Sequence, residues 1–517
     1  LKLSAKQDGG VKQDATALES VWSQSWQTEK ITVAMALGPV RRAVRLSLRI
    51  ATLWRRVWRQ WISIRRPFRL AAMALVLTDA FRYVRFLLRV RAMNEHSFPS
   101  HPLSSRLAPD KLRRFVKRLL LNEPDPVRAI RGWTRGTALS DIPRASVLAA
   151  LRYYISAQED GARSDDDEVV VTALSKEILK LWSDRCPELR TGLKKCVVDD
   201  ARCIQDAGGD FSRLGRFPVY CAFKPTLVRL GIAVYRLWHV HAKLRMEGFS
   251  YECPHSWAHG ITFWYRVGRD TRRPPLYFFH GLGLGAAPYI DNILCSLVRP
   301  DPHRTIVICE WPNLGHGVFR FKYPSADALA DGLHLHLQLM WKRMQRRMDE
   351  DFENAVADVI GHSYGSAVIA QWARSYRNDL RRRVSCDPMS TGITFGSMVS
   401  YGYEPRLKSW SRLFRESPEP LIEYLIKLDI DTQQFLKREA YVFELWEVED
   451  CGFDKNALLV LSKNDPLVNA EGIVELFHKW GLQANILLVP EWEHGDLCLG
   501  IDKIGVWGHI FRFVQND

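Results

Sequence analysis

The chain has 517 residues and a mass of 59.6 kDa, more than one hydrophobic core usually organises, so we expect one large domain with appendages. Its 47% hydrophobic and 25% charged residues exclude a wholly disordered, collagen-like or polytopic membrane protein. The net charge of +15 is uneven, because residues 1–150 hold 28 Lys and Arg against 10 Asp and Glu. A near-neutral body with a basic N-terminal arm predicts an anionic surface as partner.

The basic arm spans residues 31–95, after a polar leader over residues 1–30. If residues 41–64 form a helix, one arc of about 140° is apolar and rich in Trp, and the opposite side carries arginine. The apolar residues are Leu46, Ile50, Leu53, Trp54, Val57, Trp58 and Trp61, and the arginines are Arg41, Arg42, Arg45, Arg49, Arg55, Arg56 and Arg59. This pattern is typical of a helix that lies in a membrane interface, with arginine on lipid phosphates.

A second helix of this kind is predicted over Phe68–Arg91, with Pro67 in its first turn. Arg82, Arg85 and Arg89 recur there at helical spacing beside Phe81, Val84, Phe86, Leu87 and Leu88. The arm has no uncharged apolar run of about 18 residues, so an ordinary transmembrane helix is not expected. A spanning helix stays an alternative because Asp79 and Arg82 could pair, and so does docking on a protein of a membrane complex. The chain has none of the usual nucleic-acid reading motifs, so no nucleic-acid partner is predicted.

Residues 96–250 are predicted to be a helical extension and linker. The sequence indicates helices over Lys111–Leu121, Arg144–Ser156, Val169–Asp184 and Lys224–Met246, and an exposed acidic loop over Gln158–Glu168. Cys253, His255 and His259 have a loosely metal-like spacing, but no second cluster completes four ligands, so we predict no metal and no cofactor. The ten cysteines form no C-x-x-C pair and no disulfide framework, which favours a reducing intracellular or organellar compartment.

From Gly260 onwards, short β-rich runs alternate with helical ones, which predicts a mostly parallel sheet flanked by helices. Residues 251–388 are the first part of this core, 389–450 an insertion and 451–517 the second part. The predicted strands are Ile261–Val267, Pro275–Phe279, Thr305–Cys309, Val356–Ile360, Ala457–Leu461 and Ile486–Val489. Predicted helices cover Ala326 to about Arg347, Ser366–Tyr376 and Lys503–Phe513.

The strand Val356–Ile360 runs directly into Gly361-His362-Ser363-Tyr364-Gly365, a G-x-S-x-G pentad. This pattern predicts a nucleophile elbow, in which Ser363 occupies a strained strand-to-helix turn. Gly361 and Gly365 are small enough for neighbouring backbone to pass close by. The helix N-terminus and the N–H of Tyr364 would face a substrate oxygen as it becomes negative, and the N–H of Leu282 is the expected second oxyanion donor. Leu282 belongs to the run His280-Gly281-Leu282-Gly283, which follows an earlier strand.

The other catalytic candidates follow in the chain order Ser, acid, His. Asp465 lies in the loop after the strand Ala457–Leu461, and His494 lies in the loop after the last strand. We expect His494 to take the proton of Ser363 and Asp465 to orient His494. Asp387 before Pro388 is the rival acid, and Asp465 could instead be a turn residue. His478 and His509, the rivals of His494, fall within predicted helices.

These residues resemble the α/β-hydrolase superfamily over about residues 260–515. More narrowly, the chain resembles fungal and protist α/β-hydrolases that carry a membrane-associated N-terminal extension. The supporting residues are Gly132-Trp133, Tyr277–Gly283, Asp387-Pro388 and the run from Asp465-Pro466 to Ala470. The resemblance implies an α/β-hydrolase fold with a helical cap formed by Met389–Asp450. This segment holds ten aromatic residues, which either roof a hydrophobic substrate or pack the cap onto the core. A Ser nucleophile argues against the dehalogenase and epoxide hydrolase members, which use Asp in this place.

Two functions from different classes follow from these observations. The first is a membrane-associated serine hydrolase of the esterase or lipase type, acting on a hydrophobic carboxylic ester or other acyl substrate. An acyltransferase or thioesterase would use the same residues. The second is an α/β-hydrolase-fold accessory or scaffold subunit of a membrane complex, with the basic arm as its docking element. The complete set of candidate residues favours the first, because a pure scaffold would be free to lose them.

Overall fold

The structure is a computed structural model, and it describes the middle and C-terminal parts of the chain most fully. The described residues are Thr52, 66–95, 123, 125–133, 138–156, 165–193, 224–254, 260–311 (except 271 and 284), 326–346, 355–392, 429, 454–499 (except 466, 480 and 483) and 505–515. Contacts divide the chain into two units, Leu1–Ala80 and Phe81–Asp517. The predicted helix over 41–64 and almost all of the predicted cap lie outside the described residues.

The N-terminal helices are α1 (Arg66–Glu95), α2 (Pro126–Trp133), α3 (Arg144–Ser156), α4 (Asp165–Arg185) and α5 (Pro187–Gly192). α2 to α5 share a small apolar core of their own around Ile130, Ile178 and Trp182. The predicted acidic loop over Gln158–Glu168 is wrong at its end, because residues from Asp165 onwards form the first turn of α4. Acidic residues are favoured in the first turn of a helix, because the N-terminal end of the helix carries a partial positive charge.

The sheet has eight strands in the order β1-β2-β4-β3-β5-β6-β7-β8. The strands are β1 (Ser250–Glu252), β2 (Thr262–Arg266), β3 (Leu276–Phe279), β4 (Ile306–Glu310), β5 (Ala357–His362), β6 (Leu380–Cys386), β7 (Ala457–Ser462) and β8 (Asn485–Val489). The β1–β2 and β2–β4 pairs are antiparallel and all later pairs are parallel. The prediction of a mostly parallel sheet with the α/β-hydrolase fold is confirmed. Each of the six predicted strands is present, and its ends lie within one or two residues of the predicted ends.

Helices cover both faces of this sheet. They are α6 (Thr226–Arg236), continued by a wide turn (Leu237–Ala242) and α7 (Lys243–Met246); α8 (Ile290–Ile293), continued by Leu294–Val298; α9 (Ala326–Gln345); α10 (Tyr364–Ser375); α11 (Met389–Gly392); α12 (Ala470–Lys479); α13 (Asp496–Leu499); and α14 (Val506–Gln515). Side chains of β3 alternate between the faces, since Phe278 packs on the side of α8 and α14, and Tyr277 and Phe279 pack on the side of α9 and α10. The carboxyl ends of the parallel strands therefore all lie at one end of the sheet, between two apolar layers.

A buried ion cluster lies at the opposite end of the sheet, where the parallel strands begin. Asp358, near the start of β5, is fully buried and is bound by Arg304 and by Arg381, whose Nη2 is 2.7 Å from Asp358 Oδ2. Arg304 also donates to the carbonyl oxygens of Pro274 (3.2 Å) and Val514 (3.1 Å). The cluster links the first half of the core to the C-terminal helix α14.

We expect Asp358→Ala to destabilise the fold by about 3–5 kcal/mol, because it leaves the buried Arg304 guanidinium without its counter-charge. The matched control is Asp184→Ala, which removes the exposed pair with Arg190 (3.0 Å) and should cost about 1 kcal/mol or less. The measurement is thermal unfolding followed by circular dichroism. Equal melting temperatures for the two variants would contradict the stabilising role of Asp358.

Candidate active site

The structure confirms the strand–turn–helix context predicted for the G-x-S-x-G pentad. β5 ends at His362, α10 begins at Tyr364, and Ser363 between them has φ 52° and ψ −118°. Such a backbone conformation is strained for a residue with a side chain, and it persists only where the surroundings hold it. Here the N–H of Ser363 donates to the carbonyl oxygen of Cys386 at the end of β6 (2.9 Å), so the neighbouring strand holds the turn. Ser363 is 4% exposed.

Both glycines of the pentad are required by close backbone packing. A Cβ on Gly365 would lie 2.4 Å from the carbonyl oxygen of Phe279 at the end of β3. A Cβ on Gly361 would lie 2.6 Å from Cδ1 of Ile369 and 2.8 Å from the backbone of Gly365. Real Cβ contacts are never this short, so the elbow can pass between β3 and α10 only with glycine at both positions.

The three predicted catalytic side chains meet in the order required for proton transfer. Nε2 of His494 is 3.0 Å from Oγ of Ser363, and Nδ1 of His494 is 2.6 Å from Oδ2 of Asp465. The other carboxylate oxygen of Asp465 accepts the N–H groups of Leu467 (2.7 Å) and Val468 (3.0 Å). With Nδ1 donating to Asp465, Nε2 is left to accept the Ser363 proton. The rival histidines His478 and His509 lie on α12 and α14, as predicted.

The surroundings of His494 favour its protonated form. Burial alone would lower the pKa of His494, but the hydrogen bond and charge of Asp465, joined by the charge of Asp387, raise the pKa above its ordinary value. An imidazolium at His494 is therefore stabilised in place. His494 also loses its proton at a higher pH than an isolated histidine does.

The His280–Gly283 run lies beside the nucleophile. A Cβ on Gly281 would be 3.0 Å from Cβ of Ser363, so any larger residue would have to move this loop or the elbow by a few tenths of an ångström. His280 is fully buried and holds the loop: its Nδ1 donates to the carbonyl oxygen of Gly281 (2.6 Å) and its Nε2 accepts the N–H of Trp311 (3.3 Å). Burial lowers the pKa of His280 to about 4, so this histidine is neutral. The loop bends at Gly283, which has φ 126°.

Sequence reasoning missed Tyr289, which joins the loop to the elbow. The hydroxyl of Tyr289 accepts the N–H of Gly281 (3.2 Å) and lies 2.7 Å from Nδ1 of His362, the residue before the nucleophile. Because burial lowers the pKa of His362, its neutral ring accepts the Tyr289 proton at Nδ1 and carries its own proton on Nε2. The only sequence signal for this contact was the place of His362 inside the pentad, directly before Ser363. Nothing in the sequence around Tyr289 indicates the contact.

The structure brings the rival acid Asp387 close to the site without placing it on His494. Asp387 accepts the N–H (2.7 Å) and the hydroxyl (2.9 Å) of Ser462, and its Oδ2 is 3.7 Å from Nε2 of His362. Burial alone would raise the pKa of Asp387, but the imidazoles of His362 and His494 and the Ser462 N–H lower it. Asp387 is thus a second buried negative charge beside His494, held in a backbone conformation with φ 43°.

Among the described residues, one group of three side chains has the spacing of metal ligands: Asp387, Asp465 and His494 have ligand atoms within 4.8 Å of one another. These atoms already serve as hydrogen-bond partners. Asp465 accepts from His494, Asp387 accepts from Ser462, and Nε2 of His494 faces Ser363. The arrangement fits proton transfer between Ser363 and His494 better than a cation site.

Comparison with known proteins returned no matching family model and no matching curated protein. Solved structures with a similar fold include a carboxylesterase of the thaumarchaeon Nitrososphaera gargenis (12% identity, TM-score 0.36), which covers 51% of this chain and 98% of its own. A thermophilic esterase from Thermogutta terrifontis has 16% identity and a TM-score of 0.35, with 52% and 99% covered. A bacterial membrane phospholipase A has 15% identity and a TM-score of 0.38, with 56% and 97% covered.

We expect Gly365→Ala to destabilise the protein by about 1–3 kcal/mol, because the added methyl group meets the Phe279 carbonyl oxygen. Gly508→Ala in α14 is the control, since its Cβ would lie no closer than 3.9 Å to another side chain and alanine favours a helix. Melting temperatures of the two variants and the wild type test this. A Gly365→Ala protein as stable as the wild type would contradict the close packing at the elbow.

Proposed function

We propose that the protein is a membrane-associated serine hydrolase that cleaves carboxylic esters of hydrophobic acyl groups through an acyl-enzyme intermediate. The observation that carries this proposal is the continuous path from Ser363 Oγ through His494 to Asp465, with contacts of 3.0 and 2.6 Å. Such a path is what an activated serine nucleophile requires. Membrane association is supported by the basic composition of residues 31–95.

In the proposed reaction, Ser363 Oγ attacks the acyl carbonyl carbon while Nε2 of His494 takes the hydroxyl proton. The C=O oxygen becomes negative, and we assign its stabilisation to the N–H groups of Leu282 and Tyr364. Collapse of this intermediate breaks the ester bond, and His494 gives its proton to the leaving alcohol. Water then repeats the sequence on the acyl-enzyme and releases the acid, with Asp465 holding the imidazole throughout.

A fluorophosphonate probe tests the nucleophile directly. We expect the purified chain to be labelled on Ser363 alone, and labelling to fall by about a thousandfold or more in Ser363→Ala and His494→Ala, because triad members act as a unit. Ser375→Ala, at the exposed end of the same helix, is the matched control and should be labelled at the wild-type rate. A folded wild-type protein that resists labelling would leave the scaffold function as the better account.

The pH dependence of the reaction should report the raised pKa of His494. Only neutral His494 accepts the proton of Ser363, so kcat/KM for a short-chain ester should be lost as the pH falls through the pKa of His494, above the ordinary value of about 6.5. We expect Asp387→Asn to move this acid limb to lower pH, because it removes a negative charge that stabilises the imidazolium while Asp465 stays in place.

Asp496→Asn is the control for charge alone, since Asp496 begins α13 two residues after His494 but accepts the N–H of Glu493 (2.8 Å). Its acid limb should coincide with that of the wild type. A pH profile of Asp387→Asn identical to the wild type would show that Asp387 does not act on His494.

A further inference from the structure

The helix formed by α6 and the turn that follows it has an apolar outer face. The exposed fractions of Leu227, Leu230, Val234, Leu237 and Trp238 are 62%, 56%, 55%, 64% and 73%. Their spacing of three or four residues places them on one side of the helix. Tyr235, on the flank of this side, is 46% exposed. We name Leu227, Leu230, Val234, Leu237 and Trp238 the outer face.

Two cationic side chains of this helix and its continuation α7 form ion pairs with carboxylates of the body of the protein, whereas Arg229 and Arg245 are exposed. Arg236 is 2.9 Å from Glu310, and Lys243 is 2.6 Å from Asp291, which His239 approaches to 3.5 Å. A helix on a water-facing surface has the opposite arrangement, with its apolar stripe on the core and its charges in solvent. The exposed apolar side of α6 therefore indicates that the outer face contacts an apolar medium.

These ion pairs also place the outer face at the active-site end of the sheet. Glu310 is the last residue of β4, and its carboxylate accepts the N–H of Ala286, three residues after Gly283. Asp291 lies in α8, two residues after Tyr289. The helix is therefore anchored on the segment that continues from the His280–Gly283 run.

The basic arm supplies the second observation. Arg82 of α1 donates to the hydroxyl of Thr226 and to the carbonyl oxygen of Lys224 (3.3 Å), so α1 from Phe81 onwards meets the start of α6. On this part of α1, Phe81, Val84 and Leu88 are also exposed, and the guanidinium of Arg85 lies over the Phe81 ring (5.9 Å). Two adjoining helices thus expose apolar side chains together with arginine. No helix among the described residues is long and apolar enough to cross a bilayer.

We propose that the outer face of α6 lies in the interface of an anionic bilayer. Leu, Val and Trp side chains would enter the headgroup and upper acyl region, and the exposed Arg85 and Arg229 would meet lipid phosphates. The basic excess of residues 1–150, whose helix α1 meets α6 through Arg82, complements such a surface. Contact here would bring the active-site end of the sheet to the membrane, where hydrophobic esters are found. The proposal rests on the membrane association proposed above but not on catalysis.

Flotation of the full chain with vesicles of phosphatidylcholine containing phosphatidylserine tests this face. The variant Leu230→Gln/Val234→Gln/Trp238→Gln changes exposed residues. We expect its affinity for these vesicles to be lower than that of the wild type by about tenfold or more. The matched control is Val169→Gln/Leu335→Gln, which changes exposed apolar residues of α4 and α9 and should bind as the wild type does. Vesicles of phosphatidylcholine alone should bind the wild type more weakly, because they lack negative charge.

Binding of the triple variant at the wild-type level, or no binding of the wild type to either vesicle, would overturn the proposal. So would a wild-type oligomer in vesicle-free solution that the triple variant converts to monomer, because the face would then be an interface between copies of the chain. Fluorophosphonate labelling of Ser363 is measured on the same samples without vesicles, and the triple variant should match the wild type. A wild type that binds vesicles but is not labelled would contradict the serine hydrolase alone.

Discussion

The candidate site depends on one strained turn, the passage of the chain through Ser363 between β5 and α10. Its φ of 52° would relax in an isolated peptide, so it must be held by packing on both sides. Gly365 lies against the Phe279 carbonyl, and Ser363 N–H is bound by Cys386. β3 and β6, the two neighbours of β5, therefore both hold the turn that presents the nucleophile.

Buried polar contacts extend this constraint to the rest of the site. Tyr289 joins Gly281 to His362, and Asp387 at the end of β6 is bound by Ser462 at the end of β7. The His280–Gly283 loop, the elbow and the two acid-bearing loops are thus connected through groups that do not touch the proposed reacting atoms. Hydrogen bonds in such a dry interior are strong when complete and costly when one partner is lost.

Local patterns predicted much of this in advance. Apolar runs marked β3, β4 and β7, because strands buried on both faces leave no polar alternation. The pentad at 361–365 and the loops of Asp465 and His494 were found because each directly follows such a strand. The acidic residues that begin α4 were taken for a loop, since composition alone does not distinguish a solvated loop from a first helical turn. β1, α2 and α8 had too short or too mixed a pattern to be predicted.

The sequence by itself determined the chain order of the candidate serine, acid and histidine and the strands that precede them, because these are local properties of residue type and spacing. Only the tertiary structure decided that Asp465 rather than Asp387 faces His494, that Tyr289 bridges two loops, and which side of α6 is turned outward. The amphipathic pattern of α6 shows two faces but not which of them meets the body. That choice is made by Glu310 and Asp291, which lie far from the helix in sequence and bind its cations across the fold.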